Sequence, residues 1–468
     1  MGSLLRRKII VEQPPERALA RTLSWPHLVA LGVGAIVGTG ILTLIGVGAD
    51  RAGPAVILSF VIAGAICACA ALAYAEMATM IPASGSAYTY SYAVLGEIIA
   101  WVIGWSLILE YSLVVSTVAV GWSGYATPLL TPYGFPVELA NGPALGGVVN
   151  LPAVFIIAVV AGMLMFGTRE SATLNAILVV VKMIALAVFV GIALPHFNGA
   201  NLEPFMPFGF AKHASPDGVE RGVMAAAAII FFAFYGFDAI STAAEETRNP
   251  GRDLAIGIVG SMVACIAIYM LVAVAAVGAL SFTRFADSPE PLALILREIG
   301  RSGFATFLAV SAVVALPTVL LGFLFGQSRI FFVMARDGLL PEALAKVSRR
   351  GAPVRITALT AVLVAIIAGL MPLDAIAALA NAGTLAAFVA VCVSMMVMRV
   401  RAPDAPRTFR TPLWPVVGTI GVLGCIYLFF SLPHRTQEYF LMWNALGLVL
   451  YFVYGRARAN AGAAMSDA

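Results

Sequence analysis

The sequence predicts an all-α protein that crosses a lipid bilayer twelve times, with two of the crossings broken partway. Three observations predict it. Of 468 residues, 61% are hydrophobic and only 11% charged, whereas a soluble domain is nearer half apolar and a quarter charged. The apolar residues fall into twelve runs of about the 20 residues that a bilayer core requires of a helix. The basic residues sort onto alternate connections between those runs, as they do in membrane proteins with a fixed orientation.

The runs are 25–48, 54–80, 97–128, 150–168, 171–195, 220–247, 253–281, 302–334, 355–371, 373–398, 412–432 and 437–455. Helix-breaking stretches separate several of them, among them Asp50-Arg51-Ala52-Gly53-Pro54, Thr131-Pro132-Tyr133-Gly134, Asn249-Pro250-Gly251 and Thr411-Pro412. With the N-terminus in the cytoplasm, inside loops and tails hold 20 Lys and Arg. Outside loops hold seven (Arg51, Lys212, Arg221, Arg284, Arg297, Arg301 and Arg435), and Lys182 stands in mid-membrane, which accounts for all 28. Shifting the parse by one span would scramble this bias, so both termini are expected to be cytoplasmic, in a cell (inner or plasma) membrane. Residues 1–24 are polar and basic and carry no small-residue cleavage site, so no signal peptide is expected. Two further elements do not cross. The stretch 83–97 (ASGSAYTYSYAVLGE) reads as an inside re-entrant or interfacial element, and 282–301 as a short interfacial helix outside.

Several function classes are excluded. The net charge of +4 is spread by loop rather than gathered into a patch, so nucleic acid is not an expected partner. All five cysteines (67, 69, 265, 392 and 425) lie in apolar runs, as helix-packing residues do. No metal site is expected from them. With no outside cysteine, no covalently tethered subunit is expected either. The four histidines make no catalytic or metal constellation, and no deep Ser/His/Asp grouping exists. The protein is not expected to be an enzyme.

The first run contains GVGAIVGTG, Gly32 to Gly40. A dinucleotide fingerprint needs G-x-G-x-x-G directly after a strand. Here the spacing differs, and SWPHLVAL precedes it, with Ser24 placed as a helix cap and Pro26 in the first turn. The alternative is a membrane helix that unwinds, because glycine costs about 1 kcal/mol relative to alanine in a helix. The sixth run, IIFFAFYGFDAISTAAEET, is interrupted by Gly236 and Asp238. Runs one and six open two groups of five and cross in opposite directions, and paired interruptions of this kind point to a transporter binding site. Unwinding frees N–H groups at the start of a half-helix from Ile41, which suits a carboxylate. Freed carbonyls from Phe232 to Tyr235 suit an ammonium. Together they describe a site for an α-amino acid.

Two charges lie deep in the bilayer. Lys182, in LVVVKMIAL, is about 17 Å from either end of its span, too deep to snorkel out. It is either a group whose protonation depends on which side the cavity opens to, or a fixed strut between spans one and eight; Thr318 of span eight is a candidate partner. Glu110, in WSLILEYS, is either a pocket carboxylate favouring arginine, lysine or ornithine, or a protonated, hydrogen-bonded structural group. Asp238 is placed to cap the second half of span six. Glu76, Glu245 and Glu246 fall near the inside interface, as gate or anchor groups.

In combination, GVGAIVGTGI, ALAYAEMATMIPASGSAYTYSY, FFAFYGFDAISTAAEETRNPGRDL, GQSRIFFVMARDGLLP and RTFRTPLWP resemble the amino acid–polyamine–organocation superfamily, and within it the bacterial cationic amino acid transporters. The resemblance runs from about residue 20 to about residue 455. It implies the five-plus-five inverted repeat of the leucine transporter with two added helices, working by alternating access. The implied units are a cytoplasmic tail (1–24), a first repeat (25–198), an extracellular loop (199–219), a second repeat (220–400), two further spans (401–456) and a cytoplasmic tail (457–468). It also implies that the backbone of Ile36, Gly38, Thr39 and Gly40 receives the substrate carboxylate, and that carbonyls near Phe232, Ala233 and Tyr235 receive the amine, under a lid formed by Phe232. Glu110 would lie beside the substrate side chain. Lys182 would titrate, making the proton the coupling ion and leaving no other cofactor. Symport and exchange both remain open at this point, as does the substrate order.

Overall fold

The computed structural model describes residues 6–7, 23–83, 85–165, 172–341 and 354–455. The tails expected over 1–24 and 457–468 therefore fall almost wholly outside the described residues. So do Lys8, Arg17, Arg21, Arg169, Lys346, Arg349, Arg350, Arg456 and Arg458.

A chain this apolar must satisfy its own backbone polar groups, and helix does so within one segment. In order, the helices are α1 (Trp25–Ile36), α2 (Thr39–Leu42), α3 (Leu44–Ala52), α4 (Val56–Met80), α5 (Ser86–Val94), α6 (Glu97–Leu130), α7 (Leu151–Met165), α8 (Ala172–Ala193) and α9 (Val223–Ile230). There follow α10 (Asp238–Thr242), α11 (Pro250–Ala279), α12 (Pro291–Glu298), α13 (Ser302–Arg336), α14 (Val354–Leu370), α15 (Leu373–Arg401), α16 (Trp414–Ser431) and α17 (His434–Leu450). A two-residue hairpin, β1 (His213–Ala214) with β2 (Glu220–Arg221), precedes α9. Among the described residues, eight helical runs are long and apolar enough to cross a membrane by length and composition. Three shorter apolar helices (α1, α7 and α14) fall at further predicted spans, and α17, which opens on the polar HRTQEY, falls at the last.

Local chemistry explains several boundaries. Ser24 occupies the cap position of α1 with proline in the first turn, but its hydroxyl pairs with His27 Nδ1 at 2.9 Å rather than with a backbone amide. The stretch expected to be re-entrant or interfacial forms α5, whose residues are buried almost throughout and pack on α6 and α15. Its three tyrosines supply enough ring area to bury it. The outside stretch forms α12, with Leu292, Ala293, Ile295 and Leu296 turned inward. The long helix α6 lies along α13 and α15.

Runs one and six are interrupted. Between α1 and α2, Val37 is extended and Gly38 (φ −151°, ψ −146°) is the turn. The second piece begins at Thr39, two residues before the expected Ile41, because the chain re-enters helical geometry directly after Gly38. In run six, α9 passes into a 3-10 turn at Phe231–Ala233, Gly236 takes φ +118°, and α10 resumes at Asp238.

Ionic groups tie down the two ends of α15. At its start, Arg51 reaches Asp374 at 3.1 Å and donates to the Glu220 carbonyl at 3.0 Å. Alongside, Arg221 pairs with Asp50 at 3.2 Å and with Asp217 at 2.6 Å, and its hydrogen bond holds the exposed Asp217 carboxyl below the usual range. At the far end, fully buried Glu76 of α4 receives Arg399 at 2.8 Å, Arg407 at 3.2 Å and the Thr411 amide at 2.8 Å. Removing one partner of a buried ion pair costs about 3–5 kcal/mol, because the other charge is stranded. Glu76→Ala is therefore expected to lower the thermal unfolding temperature of the purified protein sharply, with Glu76→Gln intermediate. An unchanged transition would mean that the two guanidiniums are satisfied without it.

Candidate functional site

The two interruptions lie against each other, and glycine is what lets them. A Cβ on Gly40 would stand 2.3 Å from the Ala233 Cα, inside the backbone of the other break. A Cβ on Gly236 would meet the Ala35 carbonyl carbon at 3.0 Å, from a backbone conformation that L side chains rarely adopt. Each break thus presses a glycine onto the backbone of the other.

Backbone accounting shows what the contact leaves free. Val37 N–H donates to the Val33 carbonyl at 2.8 Å, and Tyr269 donates its hydroxyl to the Ile36 carbonyl at 2.9 Å. Among the described residues, no backbone hydrogen bond takes the N–H of Gly38, Thr39 or Gly40. Across the contact, Phe234 N–H returns to Phe231, and no backbone N–H reaches the carbonyls of Phe232, Ala233 or Tyr235. Free donors therefore lie on one break and free acceptors on the other. The Phe232 ring stands edge-on to that of Tyr235, with centroids 5.0 Å apart. The hydroxyls of Thr39 and Tyr235 are both buried and without a partner.

Lys182 of α8 reaches this region from the side. Its ammonium donates to the Gly34 carbonyl of α1 at 3.0 Å and to Thr318 Oγ1 of α13 at 3.1 Å, while Thr318 donates onward to the Ala315 carbonyl at 2.7 Å. One buried cation thus joins three helices just before the first break.

Glu110 of α6 is 1% exposed, and both its carboxylate oxygens lack a hydrogen-bond partner. Gly383 of α15 packs on it, and Thr384 faces both Glu110 and Tyr235. Asp238 does not cap α10 as expected. Phe237 holds the cap position, Asp238 is the first helical residue, and its Oδ2 accepts the hydroxyl of Tyr111 at 2.9 Å. Glu246 lies where the chain before α1 meets the end of run six: Leu23 N–H donates to its carbonyl at 3.0 Å, and Arg248 N–H donates back to Leu23 at 2.8 Å. The side chain of Glu245 is outside the described residues.

Sequence reasoning missed Tyr111, Tyr269, Thr384 and Asn381, whose amide holds the carbonyls of Ala228 and Ile229 at 2.7 and 3.0 Å. The signal available was modest: uncharged polar groups in mid-span, where each needs a partner.

Free backbone dipoles and buried polar side chains enclosed by apolar helices are what a solute needs to exchange its water for protein, and the chain is a multi-pass membrane transport protein. It belongs to the amino acid permease family, whose match covers residues 23–453, within the amino acid–polyamine–organocation superfamily. The branched-chain amino acid permease BcaP of Bacillus subtilis is 42% identical, over 98% of this chain and 99% of that protein. The methylthioribose transporter of the same organism is 39% identical, over 97% and 98%. The vacuolar cationic amino acid transporter 2 of Arabidopsis thaliana is 39% identical, over 77% of this chain and 57% of that protein.

Proposed function

We propose that the protein is a secondary active transporter that takes up cationic and small neutral L-amino acids with protons, by alternating access. In this reading twelve spans are arranged as two inverted groups of five, 25–198 and 220–400, followed by two more, with both termini in the cytoplasm. Arg51, Lys212 and Arg221 gather near one end of α15 and Arg399 and Arg407 near the other, which supports placing these two sets on opposite sides of the membrane.

One observation carries the reading: free N–H groups at Gly38–Gly40 lie across a backbone contact from free carbonyls at Phe232–Tyr235. Free donors on one break and free acceptors on the other suit the carboxylate and ammonium of one zwitterion. The names of the relatives favour amino acids, and the Bacillus subtilis permease adds branched-chain residues to the substrates worth testing. Glu110 supports a cationic side chain, and Lys182 at the junction of α1, α8 and α13 supports the proton.

The test is uptake of labelled arginine, lysine, alanine and leucine into proteoliposomes, with and without an inward proton gradient. Gradient-driven accumulation is expected. Uptake that ignores the gradient and requires internal amino acid would establish an exchanger instead. Within the same assay Glu110→Gln is expected to weaken arginine about 10- to 100-fold, the worth of a hydrogen bond to a charged group, with a smaller effect on alanine. Equal losses for both would remove Glu110 from recognition.

A further inference from the structure

The parts of the two broken runs that precede the breaks are held by several different helices. Tyr269 of α11 donates to the Ile36 carbonyl at 2.9 Å, and Ser59 of α4 donates to the Val223 carbonyl at 2.8 Å. Asn381 of α15 donates to the Ala228 and Ile229 carbonyls at 2.7 and 3.0 Å. The short pieces directly after the breaks are both reached from one helix, α6. Its Tyr125 hydroxyl donates to the Leu42 carbonyl, at the end of α2, at 2.6 Å. Its Tyr111 hydroxyl donates to Asp238 Oδ2, at the start of α10, at 2.9 Å.

Both tyrosines are buried and stand 14 residues apart on α6. At that spacing they share a face of the helix, within about 40° of each other and about 21 Å apart along its axis. The ring of Tyr111 is seated against α13. A Cβ on Gly326 would stand 2.8 Å from Tyr111 Cε1, and the Phe323 ring lies 5.2 Å from the tyrosine ring. Next to Tyr125, a Cβ on Gly124 would stand 2.7 Å from the Pro289 carbonyl oxygen, in the segment before α12. A glycine turn precedes each acceptor, Gly38 before Leu42 and Gly236 before Asp238. Swinging α2 or α10 about its own turn therefore breaks one of the two hydroxyl bonds and leaves the other intact.

We propose that α6 is a two-ended latch, in which Tyr125 fastens the outer half of run one and Tyr111 fastens the inner half of run six. The two bonds together set how the protein divides its time between facing outward and facing inward. Both tyrosines are positioning residues, acting through Leu42 and Asp238. A hydrogen bond contributes about 2- to 10-fold to an equilibrium, so losing either hydroxyl tips the balance by about that factor and leaves the bundle folded. The inference rests on the alternating-access reading and its orientation. It adds the helix that balances the two faces.

The test is the half-saturating concentration of one labelled amino acid for uptake and for efflux, in proteoliposomes of known orientation. Apparent affinity on each face scales with the fraction of protein open to it, so the ratio of the efflux value to the uptake value reports the balance. Tyr125→Phe is expected to raise that ratio about 2- to 10-fold, and Tyr111→Phe to lower it by a similar factor. The double variant is expected to return close to the unaltered ratio. A merely structural loss lowers the maximal rate and does not move the ratio in opposite directions. Should Tyr111→Phe fail to fold, Gly326→Ala is read in its place, since it displaces the ring and keeps the hydroxyl. Ratios that stay fixed, or move the same way in both single variants, would overturn the latch alone. An unaltered protein that moves no amino acid in either direction would overturn the transport reading as well.

Discussion

Lys182→Ala is expected to abolish accumulation driven by a proton gradient while amino acid binding persists. With one proton carried per substrate, one pH unit supports about tenfold accumulation, and the variant is expected to stop near equal concentrations inside and out. The argument is geometric. The Lys182 ammonium is the link from α8 to the Gly34 carbonyl and to Thr318 Oγ1, four residues before the turn at Gly38. An ammonium donates to both acceptors; a neutral amine has lost a proton and its charge, and holds α1 to α13 less firmly. A fixed strut would give a different result. Lys182→Arg keeps a permanent cation in place but removes the titration, so it is expected to bind substrate and fail to accumulate it. Normal accumulation by the arginine variant in the proteoliposome assay would make Lys182 a strut.

The second large effect separates two glycines of one motif. Gly40→Ala places a Cβ 2.3 Å from the Ala233 Cα, so one backbone must retreat by more than 1 Å. Displacement of that size at a binding constellation costs on the order of 100-fold, and substrate uptake is expected to fall at least that far. Gly38→Ala meets nothing nearer than a Val319 methyl at 3.5 Å, an ordinary contact, and is expected to retain most activity. Comparable losses in the two variants, measured as initial uptake at matched protein levels, would mean that the turn itself rather than the contact between the breaks sets the site.

How far the sequence revealed this arrangement depended on how local each signal was. The apolar runs are read one at a time, because a bilayer imposes a length on each separately. The interruptions were readable for the same reason: Gly38, Gly40 and Gly236 weaken their own helices whatever they touch. The point at which the chain resumes helix was not, since Thr39 rather than Ile41 begins α2. The role of Asp238 is not local: its position before a helix suggests a cap, whereas its partner Tyr111 lies 127 residues away. Burial of α5 was likewise hidden. Its small and polar residues resemble a surface element until α6 and α15 are seen to enclose it. Lys182 and Glu110 stand out because ionisable groups are rare at such depth, and Thr318 is a polar group of span eight; that the Gly34 carbonyl also receives the lysine is a matter of three-dimensional neighbourhood.

The moorings of α15 are unequal in their response to the bathing solution. The Asp374 side chain, 41% exposed, lies within reach of dissolved ions, whereas the side chains of Glu76 and Arg407 at the opposite extremity are at most 1% exposed. Electrolyte weakens the former attraction and leaves the latter nearly untouched, since shielding requires contact with the ionic atmosphere. Raising ionic strength therefore loosens this helix from one extremity only, and a salt-dependent rate of substrate entry would appear as an asymmetry between the two faces of the vesicle.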